Sequence, residues 1–486
     1  MGNQTTRGDK ASRKKPNLIT TTKEAKTSNS AVEGSPTDSG YVAQSQFLPI
    51  KMLTEILTNR ARQEESINGV SSTVFKRYLF PRYPDFSNKL FKHLHRSSDV
   101  TPNFMDPSEF QHQVERFLQI MNDRVILNNY VRIFSVRMKD STTPEDVNEL
   151  LMTSYQLVVD TGGMHGCSSI QRIVDAVLAS CFEGAASFPV NHVCDWLWEH
   201  SPRIIQGLHR YVVHVLATAY RSGDELLSRE VPSTPETTVS FEELLEYREE
   251  PWTSLPISHV WLLSTSLPAC FIQNTNPPSE DEQHLSSKLL RNLCPRHWVL
   301  LYNSGQHGSG ANRFLHHVLG YKSPTLLFIR CKSLDEKESL LFCICSAVEW
   351  RESQLYWGDE SSMIIKILPN YQILEKGSKL LYLNTSIRGY PKGLRAGTDY
   401  RNPCVSIDES FHLVTFQTVQ YSLLELEVWG CGDSKSREHQ LDVKKWQVKE
   451  AEKQRIVKMS ASDWLDHPDR YLLELAGRSS YTTNNN

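Results

Sequence analysis

The chain has 486 residues, enough for two or three folded domains, and at 39% hydrophobic and 22% charged it has the composition of an ordinary globular protein. A formal net charge of -3 gives no global field to attract polyanions, so no DNA or RNA partner is expected. The ten cysteines run from Cys167 to Cys431 without a CxxC pair and read as reduced thiols, and no stretch reaches the roughly 18 to 20 apolar residues that cross a bilayer.

The N-terminus reads Met1, Gly2, Asn3, Gln4, Thr5, Thr6, the M-G-x-x-x-[ST] pattern for N-myristoylation of Gly2 once Met1 is removed. One myristoyl chain partitions into membrane with a constant of only about 10⁴ per molar, so a second signal is needed. Arg7, Lys10, Arg13, Lys14, Lys15, Lys23 and Lys26, opposed only by Asp9 and Glu24, supply it as electrostatic attraction to an anionic leaflet. The first cysteine is Cys167, so palmitoylation is not the helper. The Ser and Thr residues of the same stretch allow phosphate to cancel the basic charge and release the chain. The expectation is a protein on the cytoplasmic face of a membrane, with a covalent myristate and no other cofactor.

Residues 1–44 lack hydrophobic periodicity and are expected to form a disordered basic arm. Residues 45–220 carry helical spacing, for example Phe110, Val114, Phe117, Leu118 and Met121 behind Asp106-Pro107. Thr143-Pro144 opens a further helix with Val147, Leu150, Leu151, Tyr155 and Val158 on one face. An acidic, proline-bearing stretch at 221–256, with a short helix at 241–247, reads as a linker. From 257 to 432 short apolar runs at 325–331, 340–348, 363–368, 379–383 and 423–429 predict strands in an antiparallel two-sheet sandwich, interrupted by one helix near 310–319. The tail, 433–486, contains a basic helix at 441–459 anchored by Trp446, of a character suited to calmodulin or an interface. The fold class is thus α+β.

Chemistry-bearing patterns are weak. Gly305, Gln306, His307, Gly308, Ser309 and Gly310 match the glycine spacing of a phosphate-binding loop, but Ala311 and Asn312 stand where lysine and a hydroxyl should follow. Cys343 and Cys345 share one face of a strand, with Cys331 placed beside them on a neighbour; a small apolar layer explains them better than a metal or redox pair. His307 near Ser309 lacks the turn a hydrolase serine needs, and His316, His317, Asp359 and Glu360 are not coupled by spacing. The Asp160-Thr161-Gly162-Gly163 turn resembles a calcium loop, but Met164 and Gly166 occupy ligand positions, so an EF-hand-like helical domain would have lost calcium.

Several motifs in order resemble a TLDc domain. They are the run from Trp298 to Leu301, the turn Tyr302-Asn303-Ser304-Gly305-Gln306-His307-Gly308, the run from Pro324 to Ile329, Glu349-Trp350, Gly358-Asp359-Glu360-Ser361-Ser362, and Leu426-Glu427-Val428-Trp429-Gly430. On this resemblance His307, Gly308, Gly358, Asp359, Ser361, Ser362, Glu427, Trp429 and Gly430 are the motif residues. The whole layout resembles the myristoylated, mTOR-associated eak-type branch. That implies a non-enzymatic regulator at plasma or lysosomal membranes with a cytosolic pool, binding the peripheral sector of the V-ATPase and linked to insulin, TOR and FoxO signalling, lifespan and stress resistance. The alternative, a redox-linked or oxidative-stress function, would use Cys343 and Cys345. One departure stands out: relatives carry a GLGxGG run where this chain has Gly393, Leu394, Arg395, Ala396, Gly397 and Thr398, expected as a bulkier, more basic loop.

Overall fold

The structure is a computed structural model that describes residues 48–95, 103–135, 140–162, 164, 166–222, 255–273, 294–295, 297–335, 338–455, 472 and 475–476. Gly2, Arg7, Lys10, Arg13, Lys14 and Lys15 and the expected linker helix at 241–247 lie outside the described residues.

The N-terminal half is helical because its apolar residues recur every three or four positions behind well-capped starts. Its helices are α1 (Leu48–Glu65), α2 (Ser72–Leu79), α3 (Pro84–Leu94), α4 (Pro107–Leu118), α5 (Asp123–Phe134), α6 (Pro144–Thr161), α7 (Ile170–Phe182), α8 (Val190–His200) and α9 (Gln206–Thr218). Asp106 and Asn122 cap α4 and α5, and Thr143 forms a reciprocal capping box with Asp146 at α6. Ser201, ahead of Pro202 with φ -148° and ψ 61°, separates α8 from α9.

Two-residue strands stitch the inter-helix loops in pairs, β1 (Val70–Ser71) to β2 (Phe104–Met105) and β3 (Ser141–Thr142) to β4 (Phe188–Pro189). Paired helix–loop–helix units joined through a short antiparallel bridge are the arrangement of an EF-hand pair. The Asp160 turn considered for calcium is not one of these bridged loops, since it connects α6 to α7. Asp160 accepts bonds from Tyr83 Oη at 2.8 Å and Gln156 Nε2 at 2.6 Å, which makes it a structural acceptor.

The helical layer reaches past the expected boundary at 257. Helices α10 (Ile257–Ser266) and α11 (Ala269–Ile272) belong to it, with Trp261 edge-on to Tyr155 at 5.4 Å between ring centroids. Every α10 residue from Ser258 to Ser266 is buried, as befits a helix covered on all sides.

The strands are β5 (Val299–Asn303), β6 (Thr325–Ser333), β7 (Ser339–Ser346), β8 (Met363–Leu368), β9 (Gln372–Lys376), β10 (Leu381–Asn384), β11 (Gly393–Ala396), β12 (Val405–Ile407), β13 (Leu413–Phe416) and β14 (Val419–Gly430). Between β5 and β6 lie α12 (Ser304–His307) and α13 (Ala311–Val318), and the C-terminal helix is α14 (Ser434–Arg455). All pairings are antiparallel, in the order β10-β11-β12-β13-β14-β6-β7-β8-β9, with β5 also on β14. The expected two sheets are one hydrogen-bonded sheet. Long β14 carries β13 and β5 in succession along one edge and β6 along the other, with an irregularity between Leu423 and Glu425, so the sheet wraps instead of splitting.

Alternation along β6 to β8 divides the interior in two. Leu327, Ile329, Phe342, Ile344 and Ile364 face an inner core with Leu381, Leu383, Leu394 and Val414. Leu326, Phe328, Cys343, Cys345, Met363 and Ile365 face outward into a core continuous with the helical layer. Cys331 lies opposite Leu340 and faces the inner core, so it does not share a face with Cys343 and Cys345. Its position is odd where Leu326 and Phe328 are even, and a strand reverses side-chain direction at every residue.

Candidate functional site

The motif residues fall into two structural knots, with no side-chain hydrogen bond between the two among the described residues. The first is built on the end of β14. Glu427 is 1% exposed, and its Oε1 accepts from Asn303 Nδ2 at 2.6 Å while its Oε2 accepts from Trp429 Nε1 at 3.1 Å. Burial raises its carboxyl pKa, and the bonds from Trp429 and Asn303 oppose that rise. Asn303 is the hub: its Oδ1 caps α12 by accepting from Gly305 and Gln306 N–H at 2.8 and 3.0 Å. Its own backbone N–H donates to His307 Nδ1 at 3.0 Å, and Ser304 Oγ accepts from Leu426 N–H at 3.0 Å. Thus the glycine-rich turn closes on side chains of its own knot, where a phosphate loop would leave N–H groups free. Gly308 has φ +87° and its carbonyl accepts from Tyr302 Oη at 2.9 Å.

Gly430 serves close approach. A Cβ there would lie 2.5 Å from the Tyr321 ring, whose hydroxyl accepts from Gly432 N–H at 2.9 Å. This contact sets the direction in which the chain leaves the sheet for α14.

The second knot is the turn before β8. Gly358 has φ +135°, and Ser362 Oγ donates to Asp359 Oδ1 at 3.0 Å while accepting from Asp359 N–H at 3.1 Å. The Ser361 side chain lies beside the Cys270 thiol of α11, where it opposes the rise that burial imposes on the thiol pKa. Trp350 Nε1 donates to Thr325 Oγ1 at 2.8 Å, and the ring packs edge-on to both Phe314 and Trp357. The Ser362 and Asp359 side chains bond to each other and Trp350 to Thr325, while the buried Trp357 Nε1 has no hydrogen-bond partner among the described residues.

The divergent 393–398 segment is mostly strand β11, not a loop. Gly393 and Gly397 keep φ of +102° and +155°, and a Cβ on either would strike backbone at 2.2 and 2.5 Å. The replacements therefore fall where side chains are tolerated. Arg395 joins Tyr356, Tyr382, Pro391, Leu355 and Tyr400 around a cleft of about 500 Å³, with Tyr356 and Tyr382 stacked at 5.2 Å.

A further feature of the structure is the seam between α13 and α14. Gln440 is fully buried, and its Nε2 donates to the carbonyls of His317 and Leu319, both at 3.0 Å. Asp433 caps α14 by accepting from Ser436 N–H at 2.9 Å, and Ser323 and Ser436 hydroxyls meet at 2.8 Å. Trp446, expected as the anchor, is 64% exposed. One glutamine on a charged helix carries no periodic signal, so the sequence does not mark Gln440.

Cys343 and Cys345 lie 3.8 Å apart, sulfur to sulfur, fully buried against the helical layer. Burial pushes the Cys345 thiol well above the ordinary range, with the Cys343 neighbour adding to it. A thiol so held is a poor nucleophile.

Residues 279–432 match the family model of the TLDc domain. Among curated proteins, the chain is similar to a restriction of telomere capping protein 5 from Kluyveromyces lactis, 29% identical over 178 residues and covering 29% of this chain and 30% of that protein. The same-named protein of Leptosphaeria maculans is 23% identical over 263 residues, covering 39% and 41%, and that of Lachancea thermotolerans is 29% identical over 173 residues, covering 30% of each. The match spans between about a third and two fifths of the length of these relatives.

Proposed function

We propose that this chain, which carries a TLDc domain over residues 279–432, is a non-enzymatic regulator delivered to a membrane by an acyl chain on Gly2. The observation that carries the binding role is the closure of the motif residues on one another. Glu427 accepts from Asn303 and Trp429, and Ser362 donates its hydroxyl to Asp359, so these buried groups are engaged in holding the domain's framework, which supports a binding over a catalytic reading.

The partner we infer is the peripheral sector of the V-ATPase, at the cytoplasmic face of the lysosomal or plasma membrane, with consequences for TOR, insulin and FoxO signalling. The support is the ordered set of TLDc motifs together with the Gly2 pattern and the basic residues Arg7, Lys10, Arg13, Lys14 and Lys15. Exposed Leu441 and Val448, seven residues apart on one side of α14, offer a second contact point for a helix-binding partner such as calmodulin. A redox role through Cys343 and Cys345 is disfavoured by their burial and by the raised Cys345 pKa.

Affinity purification of the full chain from cell membranes tests the proposal. Peripheral V-ATPase subunits should be recovered in stoichiometric yield. Recovery of none of them, or of telomere-capping proteins in their place as the names of the fungal relatives would suggest, would refute it.

A further inference from the structure

The seam between α13 and α14 collects positive charge without neutralising it. The imidazoles of His307 and His317 stack at 4.0 Å between centroids, inclined by 22°, and His316 meets His317 at 5.1 Å. On the facing helix, Arg437, Gln440 and Lys444 recur at intervals of three and four and so share one side. The two Gln440 bonds to α13 fix the register of that side, which places Arg437 one turn before the contact and Lys444 one turn after it.

Both cations are half-buried, yet neither forms an ion pair with a carboxylate among the described residues. Their neighbours do: Lys445 pairs with Asp442 at 3.3 Å and Lys453 with Glu450 at 3.4 Å. Among the described residues Arg437 donates to the side-chain oxygen of Gln440. Burial, then the Arg437 charge, lowers the Lys444 pKa to about 8. Burial together with His307, Lys444, His316 and Arg437 lowers that of His317 to about 4. The C-terminal dipole of α13 offsets only about half a unit charge, and Gln440 already engages its carbonyls, so the permanent charge of Arg437 and the ammonium of Lys444 are left without a matching carboxylate among the described residues.

We propose that this seam, walled by His307, His317, Arg437 and Lys444, is a binding site for a phosphate monoester. The donor set suits such a ligand: a guanidinium fork, an ammonium, and an imidazole whose Nδ1 is held by the Asn303 N–H, leaving Nε2–H as the donor. The ligand is the phosphate of a phosphoinositide headgroup or of a soluble phosphorylated compound; the chemistry at the seam is the same. The site does not depend on acylation of Gly2 or on V-ATPase binding.

The test uses the full chain with inositol trisphosphate in calorimetric titration, and with phosphatidylcholine vesicles carrying a few percent phosphatidylinositol bisphosphate. Wild type should bind the trisphosphate, and binding should raise the His317 titration midpoint followed by imidazole NMR. Lys444→Gln removes a charge that makes no docking bond and should weaken binding about tenfold, the loss of one charged hydrogen bond. Arg437→Gln should weaken it at least as much, with unchanged circular dichroism as the control. Vesicle binding that trisphosphate competes away, and that Lys444→Gln loses while the basic arm is intact, assigns the headgroup; trisphosphate binding without it assigns the soluble ligand. No binding by wild type, or equal binding by both variants, overturns the proposal.

Discussion

The strand-rich body is gripped on two sides, and the two grips differ in kind. Against the helical layer the contact is a dry seam of Trp261, Phe271, Met363, Cys343 and Cys345, with a few hydrogen bonds such as Tyr371 N–H to the Ala176 carbonyl at 2.9 Å. Against α14 it is almost wholly polar, built on Gln440, Asp433, Ser436 and the Tyr321 hydroxyl. Apolar burial is cooperative and insensitive to register, whereas a few hydrogen bonds exchange readily for water. The helical layer is therefore a permanent part of the fold, and α14 is a separable attachment.

The largest expected effect lies in the dry seam. Trp261→Ala should cost about 3 to 5 kcal/mol, as for a large core aromatic, and lower the denaturant midpoint of the whole chain in one transition. Separate melting of helical and strand signals would show two independent domains.

Gly430→Ala comes next, because its Cβ would enter the Tyr321 ring. Overpacking of this kind costs about 1 to 3 kcal/mol, seen as a lower midpoint with an unchanged slope. A neutral result would mean that Tyr321 can move aside, so that the exit toward α14 is not fixed there.

The dry seam also carries a titration. His200 Nδ1 accepts from Ile373 N–H at 3.2 Å, so that bond needs the neutral ring, and burial lowers its pKa, with Lys376 adding and Glu199 opposing. The folded value lies below the unfolded value of about 6.5, so stability should be full above that pH and fall as pH drops through the folded value. His200→Gln should flatten this slope in pH-dependent melting; an unaltered slope would remove His200 from the seam's account.

Gln440→Ala should act locally. Losing its bonds to two carbonyls should cost about 1 to 2 kcal/mol, read as faster amide exchange over 434–455 with unchanged protection in β6 and β7. Equal loss of protection in the strands would mean that α14 belongs to the core. Smallest of all, Trp446→Ala should change stability by less than about 0.5 kcal/mol, since the ring is mostly in water.

Periodic features were legible in the sequence. The helices behind Asp106-Pro107 and Thr143-Pro144 and the strands around 325–331 and 363–368 lie where spacing puts them, because each repeats a local preference over several residues. Short strands such as β11 and β12 were missed: three or four residues give too little alternation, and β11 was hidden inside a glycine motif. The continuity of the sheet and the shared core of α10 depend on contacts across long sequence separations. At the site, the motifs located Glu427, Trp429 and Gly358, but the partners that explain them, Asn303 for Glu427 and Tyr321 for Gly430, required coordinates.

We propose that an acyl chain on Gly2 delivers this TLDc domain to a membrane partner. Membrane fractionation of wild type and Gly2→Ala, with peripheral V-ATPase subunits quantified in each purified fraction, tests it most directly. Gly2→Ala should move to the soluble fraction and lose the V-ATPase subunits from the membrane pool while its melting curve is unchanged. Undiminished membrane association and subunit recovery by Gly2→Ala would contradict it.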